Sequence, residues 1–234
     1  QPERVIIEYN GMWLVSNFEK MQLPTGWGVE QQITCVDGST FQMYMANMKS
    51  IFMDMIKNTD MVIFNRCKKE DPLPTYRRGI KVANQRAEVI FEDEEGELGD
   101  IFQDEMPFDM NAPVIEILPE DYGIWFVDAM DHPENYEGKT VKFKARVMKP
   151  RGMGSKFFVP GRTAMTCCAD DTTFLGYVCK SAYAPKLTPG EWVEVTAKVG
   201  IEKRNEYQGE EGIVLAAEHV EQCDPLEDEM VYFN

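Results

Sequence analysis

Glu8 closes a short apolar run, Val5-Ile6-Ile7, and Gly11 follows three residues later. This is the pattern required at the magnesium and γ-phosphate corner of a nucleotide site. Such a run is expected to form a strand buried on both faces. The acid at its carboxyl end then faces the crevice where open α/β sheets hold ligands. A glycine lets a main-chain N–H approach phosphate with no side chain in the way. The G-x-x-x-x-G-K-[S/T] loop that cradles the phosphates in such sites does not occur in the chain, so the sequence is expected to begin inside a domain.

A second chemical grouping is Thr166-Cys167-Cys168-Ala169-Asp170-Asp171, with Cys179 downstream. Cys167 or Cys168 with Cys179 and Asp171 would make a soft site suited to zinc. Adjacent cysteines on a regular strand point to opposite faces, so shared ligation needs a strand end or bulge there. The Asp170-Asp171 pair supplies a strand end. The competing reading is that these cysteines are small buried apolar residues. There is no C-x-x-C pair, and only His132 and His219 could add imidazole.

A third grouping is cationic. Lys139, Lys142, Lys144, Arg146, Lys149, Arg151, Lys156 and Arg162 follow one another with no acid between them. Aromatic residues that could stack bases are sparse on the same face, since Phe143 alternates onto the other. The run reads as a solvated strand face. The whole chain, 24 basic against 40 acidic residues and net −16, argues against a nucleic-acid binder or an anionic-membrane binder.

The elements that must position these groups fall into two kinds. Up to about residue 92, strands alternate with helices, which implies a parallel sheet. Continuous apolar runs end at Val36 and Phe64, and another strand spans Glu88–Phe91. Phe41, Tyr44, Met48, Phe52 and Ile56 recur at helical spacing. An acidic, irregular stretch from Glu92 to Asn111 then leads to a change of period from 3.6 to 2. Val141, Phe143, Ala145 and Val147 alternate with Lys142, Lys144 and Arg146, a half-buried strand. Further strands are expected near 156–166, 173–180, 191–201 and 212–221. The expected fold class is α/β plus β: a partial parallel-sheet domain over residues 1–110, then a small OB-like antiparallel barrel over 111–234. No stretch reaches the length of a membrane span, no signal peptide is visible, and the six cysteines lack disulfide-scaffold spacing. A cytoplasmic location with reduced thiols is expected.

Val5–Gly11, Ile33–Asp37, Asp60–Arg66 and Asn84–Ile90 together resemble the later strands of a CobW-type P-loop GTPase, of the group that includes the HypB and UreG metal-insertion proteins. The resemblance implies GTP and Mg²⁺ as ligands of the intact protein and delivery of a metal, with zinc the first guess. It would place Glu8 near Mg²⁺ and the attacking water, Gly11 at the γ-phosphate, and Asn65 beside the base. Asp37 and Arg66 join Asn65 as nucleotide-side candidates. The family's Asn-Lys-x-Asp reads here Asn65-Arg66-Cys67-Lys68. Arg66 keeps an apolar stem to pack on a base, but Lys68 cannot accept the guanine N–H bonds that the aspartate would. This chain alone is expected to hydrolyse almost nothing.

Gly138-Lys139, Arg162 through Cys167-Cys168 to Asp171, and Trp192-Val193-Glu194-Val195 resemble the unknown-function module of YcgQ-like predicted permease subunits. The partners this resemblance implies are a membrane permease subunit or a metal-requiring client protein, and the alternative function is that of a non-enzymatic adaptor.

Overall fold

The structure, a computed structural model, describes residues 2–99, 106–166 and 172–232. The chain divides into two units, Gln1–Gln103 and Asp104–Asn234.

In the first unit β1 (Ile33–Asp37), β2 (Met61–Asn65) and β3 (Glu88–Phe91) form a parallel sheet in that order, linked by α2 (Phe41–Ile56) and α3 (Leu73–Ala83). Thr34, Val62 and Val89 stand side by side, as do Val36, Phe64 and Phe91. The core sits on this face. Phe64 meets Phe41 of α2 at 4.9 Å, Phe91 at 4.8 Å and Tyr76 of α3 at 5.8 Å. Phe41 and Tyr76 pack edge to face at 4.6 Å. Such pairs add order and about 1 kcal/mol each beyond burial. Both helices therefore cover one face, while Ile33 and Cys35 on the other are exposed.

The strand expected at Val5–Ile7 is not formed. Val5, Ile6 and Ile7 are 49%, 90% and 57% exposed. An apolar run becomes a strand only where a neighbour satisfies its N–H and C=O groups, and no described strand lies beside this one. The chain instead follows α2. The Tyr44 hydroxyl donates to the Gly11 carbonyl (3.1 Å), the Ser16 amide donates to Asp54 (3.0 Å), and Asn58 donates to Glu19 (2.7 Å) at the end of the short helix α1 (Val15–Glu19).

The second unit holds a closed five-stranded barrel, preceded by β4 (Ile115–Glu116) and α4 (Tyr122–Asp131). Its staves are β5 (Thr140–Met148), β6 (Phe157–Met165), β8 (Val178–Lys180), β9 (Trp192–Lys203) and β10 (Glu211–Gln222). Going round, β5 pairs antiparallel with β9, β9 with β10, β8 with β6, and β6 with β5. The pair β10–β8 alone is parallel. This order, with one parallel seam in a five-stranded Greek-key ring, is that of an OB-like barrel. The single strand expected at 173–180 is two, β7 (Thr172–Gly176) and β8, separated by Tyr177. Between β8 and β9 the chain makes only a 3-10 turn, Ala184–Lys186. The core is filled by α4 instead. Trp125 packs on Phe143 at 4.8 Å, and Tyr177 and Tyr122 donate to the carbonyls of Phe126 and Leu175, at 2.5 and 3.0 Å. β11 (Met230–Val231) adds to β6 in parallel.

Arg162 corrects the reading of the cationic run as one solvated face. It is 2% exposed, lies over the Tyr122 ring at 5.6 Å, and donates to the carbonyls of Pro119, Asp228 (3.1 Å) and Met230 (3.0 Å). It ties the C-terminal strand to the barrel. Replacing it by methionine leaves three inward carbonyls without a charged donor. Arg162→Met is expected to lower stability by about 3 kcal/mol in urea denaturation. A loss below roughly 0.5 kcal/mol, the size of an ordinary surface substitution, would contradict this role.

Candidate functional site

The carboxyl end of the parallel sheet gathers three of the expected residues. Asp37 and Asn65 are register partners at the last positions of β1 and β2. Arg66 follows with φ of 55°, a conformation that non-glycine residues adopt at a cost and that concentrates at functional sites. Its guanidinium reaches Asp37 at 2.5 Å. Asp37 also accepts from the Ser39 amide (3.0 Å) and hydroxyl (2.6 Å), fixing the 3-10 turn Gly38–Thr40 that leads into α2. Gly38 is needed there, because a Cβ would stand 2.8 Å from Cys67 Sγ and 3.0 Å from the Asn65 carbonyl oxygen. The Asn65 side-chain oxygen is buried with no hydrogen-bond partner. An orphaned acceptor of this kind costs about 1–3 kcal/mol.

The other two candidates do not join this cluster through the sheet. Glu8 is exposed on an unpaired segment, and the Gly11 carbonyl accepts from the Tyr44 hydroxyl. Lys68 and Asp71 close a turn in which the Asp71 carboxylate accepts the Lys68 amide at 2.8 Å.

Cys167, Cys168 and Asp171 lie outside the described residues. Cys179 faces the barrel core at 0% exposure, and burial pushes its thiol up to about 12. It packs as a small core residue. No group of three His, Cys, Asp or Glu side chains able to hold a metal occurs among the described residues. Cys67 is likewise buried, with its thiol pushed up to about 11 by burial.

Much of the cationic run is spoken for. Lys142 pairs with Glu194 at 2.9 Å and Arg146 with Glu229 at 4.0 Å. Lys149 donates to the carbonyls of Ala184 and Leu187. No helix among the described residues is long and apolar enough to cross a membrane.

Fold and site together define a class: a small parallel α/β unit with a polar cluster at its sheet end, joined to an OB-like barrel. The sequence matches the DUF1980 C-terminal domain over residues 97–233, and the chain belongs to that family. No curated protein matches it. Solved structures similar to the chain include two of the mitochondrial single-stranded DNA binding protein Rim1 from S. cerevisiae. Each is 10% identical and covers 38% of this chain and 97% of that one, with TM-scores of 0.23 and 0.24.

Two measurements check the geometry. The Ser39 hydrogen bond, then Arg66, hold the Asp37 carboxyl below its ordinary 3.8. A depressed folded pKa stabilises above the unfolded value and ceases to do so as pH falls through the folded one. The stability difference between wild type and Asp37→Asn should therefore be constant from pH 5 to 7 and shrink below about pH 4 in urea titrations. A difference that grows on acidification contradicts the assignment. Peptide-level mass mapping after alkylation at pH 8 should label exposed Cys35 and spare Cys67 and Cys179 until the chain unfolds.

Proposed function

We propose that the first unit carries the base side of a nucleotide site, and that the intact protein is a GTP-dependent metal-delivery protein of the CobW type, with zinc as cargo. The observation that carries this reading is the convergence of Asp37, Asn65 and Arg66 at the carboxyl end of a parallel sheet, where open α/β folds take their ligands. The residues fit a base in two respects. The buried, unpartnered oxygen of Asn65 is an acceptor waiting for a donor. Arg66 is held by Asp37 with 71% of its side chain exposed, leaving its planar group free to pack on a ring.

The phosphate side is different. Glu8 is exposed away from any strand, so no hydrolytic step is routed through it in this chain. Magnesium and a phosphate loop would supply charge neutralisation in the intact protein. Lys68 in place of an acid weakens the preference for guanine over other bases. The partners this reading implies are a metal-requiring client or a permease subunit.

The test is a titration of the full-length protein with a fluorescent GTP analogue and Mg²⁺. Asn65→Ala and Arg66→Ala should each weaken binding roughly ten- to a hundredfold, and the 234-residue chain alone should show no Mg²⁺-dependent binding. Full-strength binding by both variants, or tight Mg²⁺-dependent binding by the chain alone, would overturn the proposal.

A further inference from the structure

The barrel carries a second polar cleft, unrelated to the sheet end of the other unit. It opens between the β5–β6 loop and the β9–β10 loop, with a volume of about 590 Å³, and is lined by residues 150–154 and 203–206. The first loop turns on Pro150-Arg151-Gly152-Met153. The Met153 amide donates to Pro150 at 3.3 Å, and Gly152 takes φ of +85°, as a type II turn requires. Among the described residues the amides of Gly152 and Gly154 find no main-chain acceptor, and a Cβ at Gly152 would meet nothing within 4 Å. Both glycines are exposed, so their amides can donate to a ligand in the cleft, as main-chain amides do to oxyanions.

The charges sort themselves by role. Arg204 is structural: it lies over the Phe157 ring at 4.4 Å and its guanidinium meets both Glu206 oxygens, at 3.2 and 2.9 Å, with Glu202 at 3.7 Å. Those contacts satisfy Glu206, the acid of the lining, and pin the second loop to the start of β6. Arg151 and Lys203, by contrast, have no carboxylate within salt-bridge distance among the described residues. Glu211, opposite Lys203 in the ladder, makes no such pair with it. In a chain of net charge −16, this leaves two unpaired cations and free amides around one concavity.

We propose that this cleft binds a small phosphate-bearing anion. Arg151 and Lys203 supply charge from opposite walls, and the Gly152 and Gly154 amides supply oriented donors. A single-stranded nucleic acid fits less well, because the lining holds no aromatic residue for successive bases and Phe157 is already covered by Arg204. The inference does not depend on the nucleotide reading, which concerns other residues in the other unit.

Amide NMR of the whole chain tests it, with inorganic phosphate, glucose 6-phosphate and a twelve-residue oligothymidylate as probes at fixed ionic strength. Phosphate and the sugar phosphate should shift Gly152, Gly154 and Asn205 saturably, with Kd on the order of 1 mM. The double variant Arg151→Ala/Lys203→Ala, both exposed side chains, should weaken this about tenfold or more without lowering Tm. Absence of saturable shifts, or shifts that persist undiminished in the double variant, overturns the proposal. So does oligothymidylate binding at these amides more tightly than either phosphate, which would make the cleft a nucleic-acid surface.

Discussion

The barrel depends on the pairing of β6. This one strand pairs with β5 through 159–161 and with β11 through 163–164 on one edge, and with β8 and then β7 on the other. Two chains come unusually close where Gly161 of β6 faces Gly176 of β7. A Cβ at 161 would sit 2.3 Å from the Leu175 carbonyl oxygen and 2.4 Å from the Phe174 ring. One at 176 would sit 2.6 Å from the Pro160 carbonyl oxygen. These glycines are there for approach, and neither has a positive φ. The ring closes through the β6–β5 and β6–β8 pairs, and Arg162 on β6 is buried where it holds the C-terminal strand.

The two units solve their packing problems differently. The barrel has no free edge within its ring, and its core is completed by α4, anchored by two tyrosine hydroxyls on main-chain oxygens. Burial raises the pKa of both Tyr122 and Tyr177, so they stay neutral donors. The α/β unit has three strands and two helices on one face. Its order at the sheet end comes from short polar links, Asp37 to Ser39 and to Arg66, rather than from burial.

Local pattern made much of this legible. The alternation of Val141, Phe143, Ala145 and Val147 marks β5, the helical recurrence from Phe41 to Ile56 marks α2, and the continuous run Met61–Phe64 marks β2. What the pattern could not carry was partnership. Val5–Ile7 has the composition of a buried strand but no neighbour to complete its hydrogen bonds. Arg162 sits in a run of cations, yet its role is set by carbonyls from residues 119, 228 and 230, far away in sequence. Cys179 has a ligand-type side chain, and its burial in the core follows from its place on β8. The barrel cleft follows from topology, which brings residues 150–154 and 203–206 together.

The central claim is that the sheet end around Asn65 is a base-binding surface. A structure of the full-length protein with a non-hydrolysable GTP analogue and Mg²⁺ tests it most directly. The account predicts the base against Arg66, with a donor within hydrogen-bond distance of the Asn65 side-chain oxygen. A bound nucleotide whose base lies elsewhere, with that oxygen still unpartnered, would contradict it.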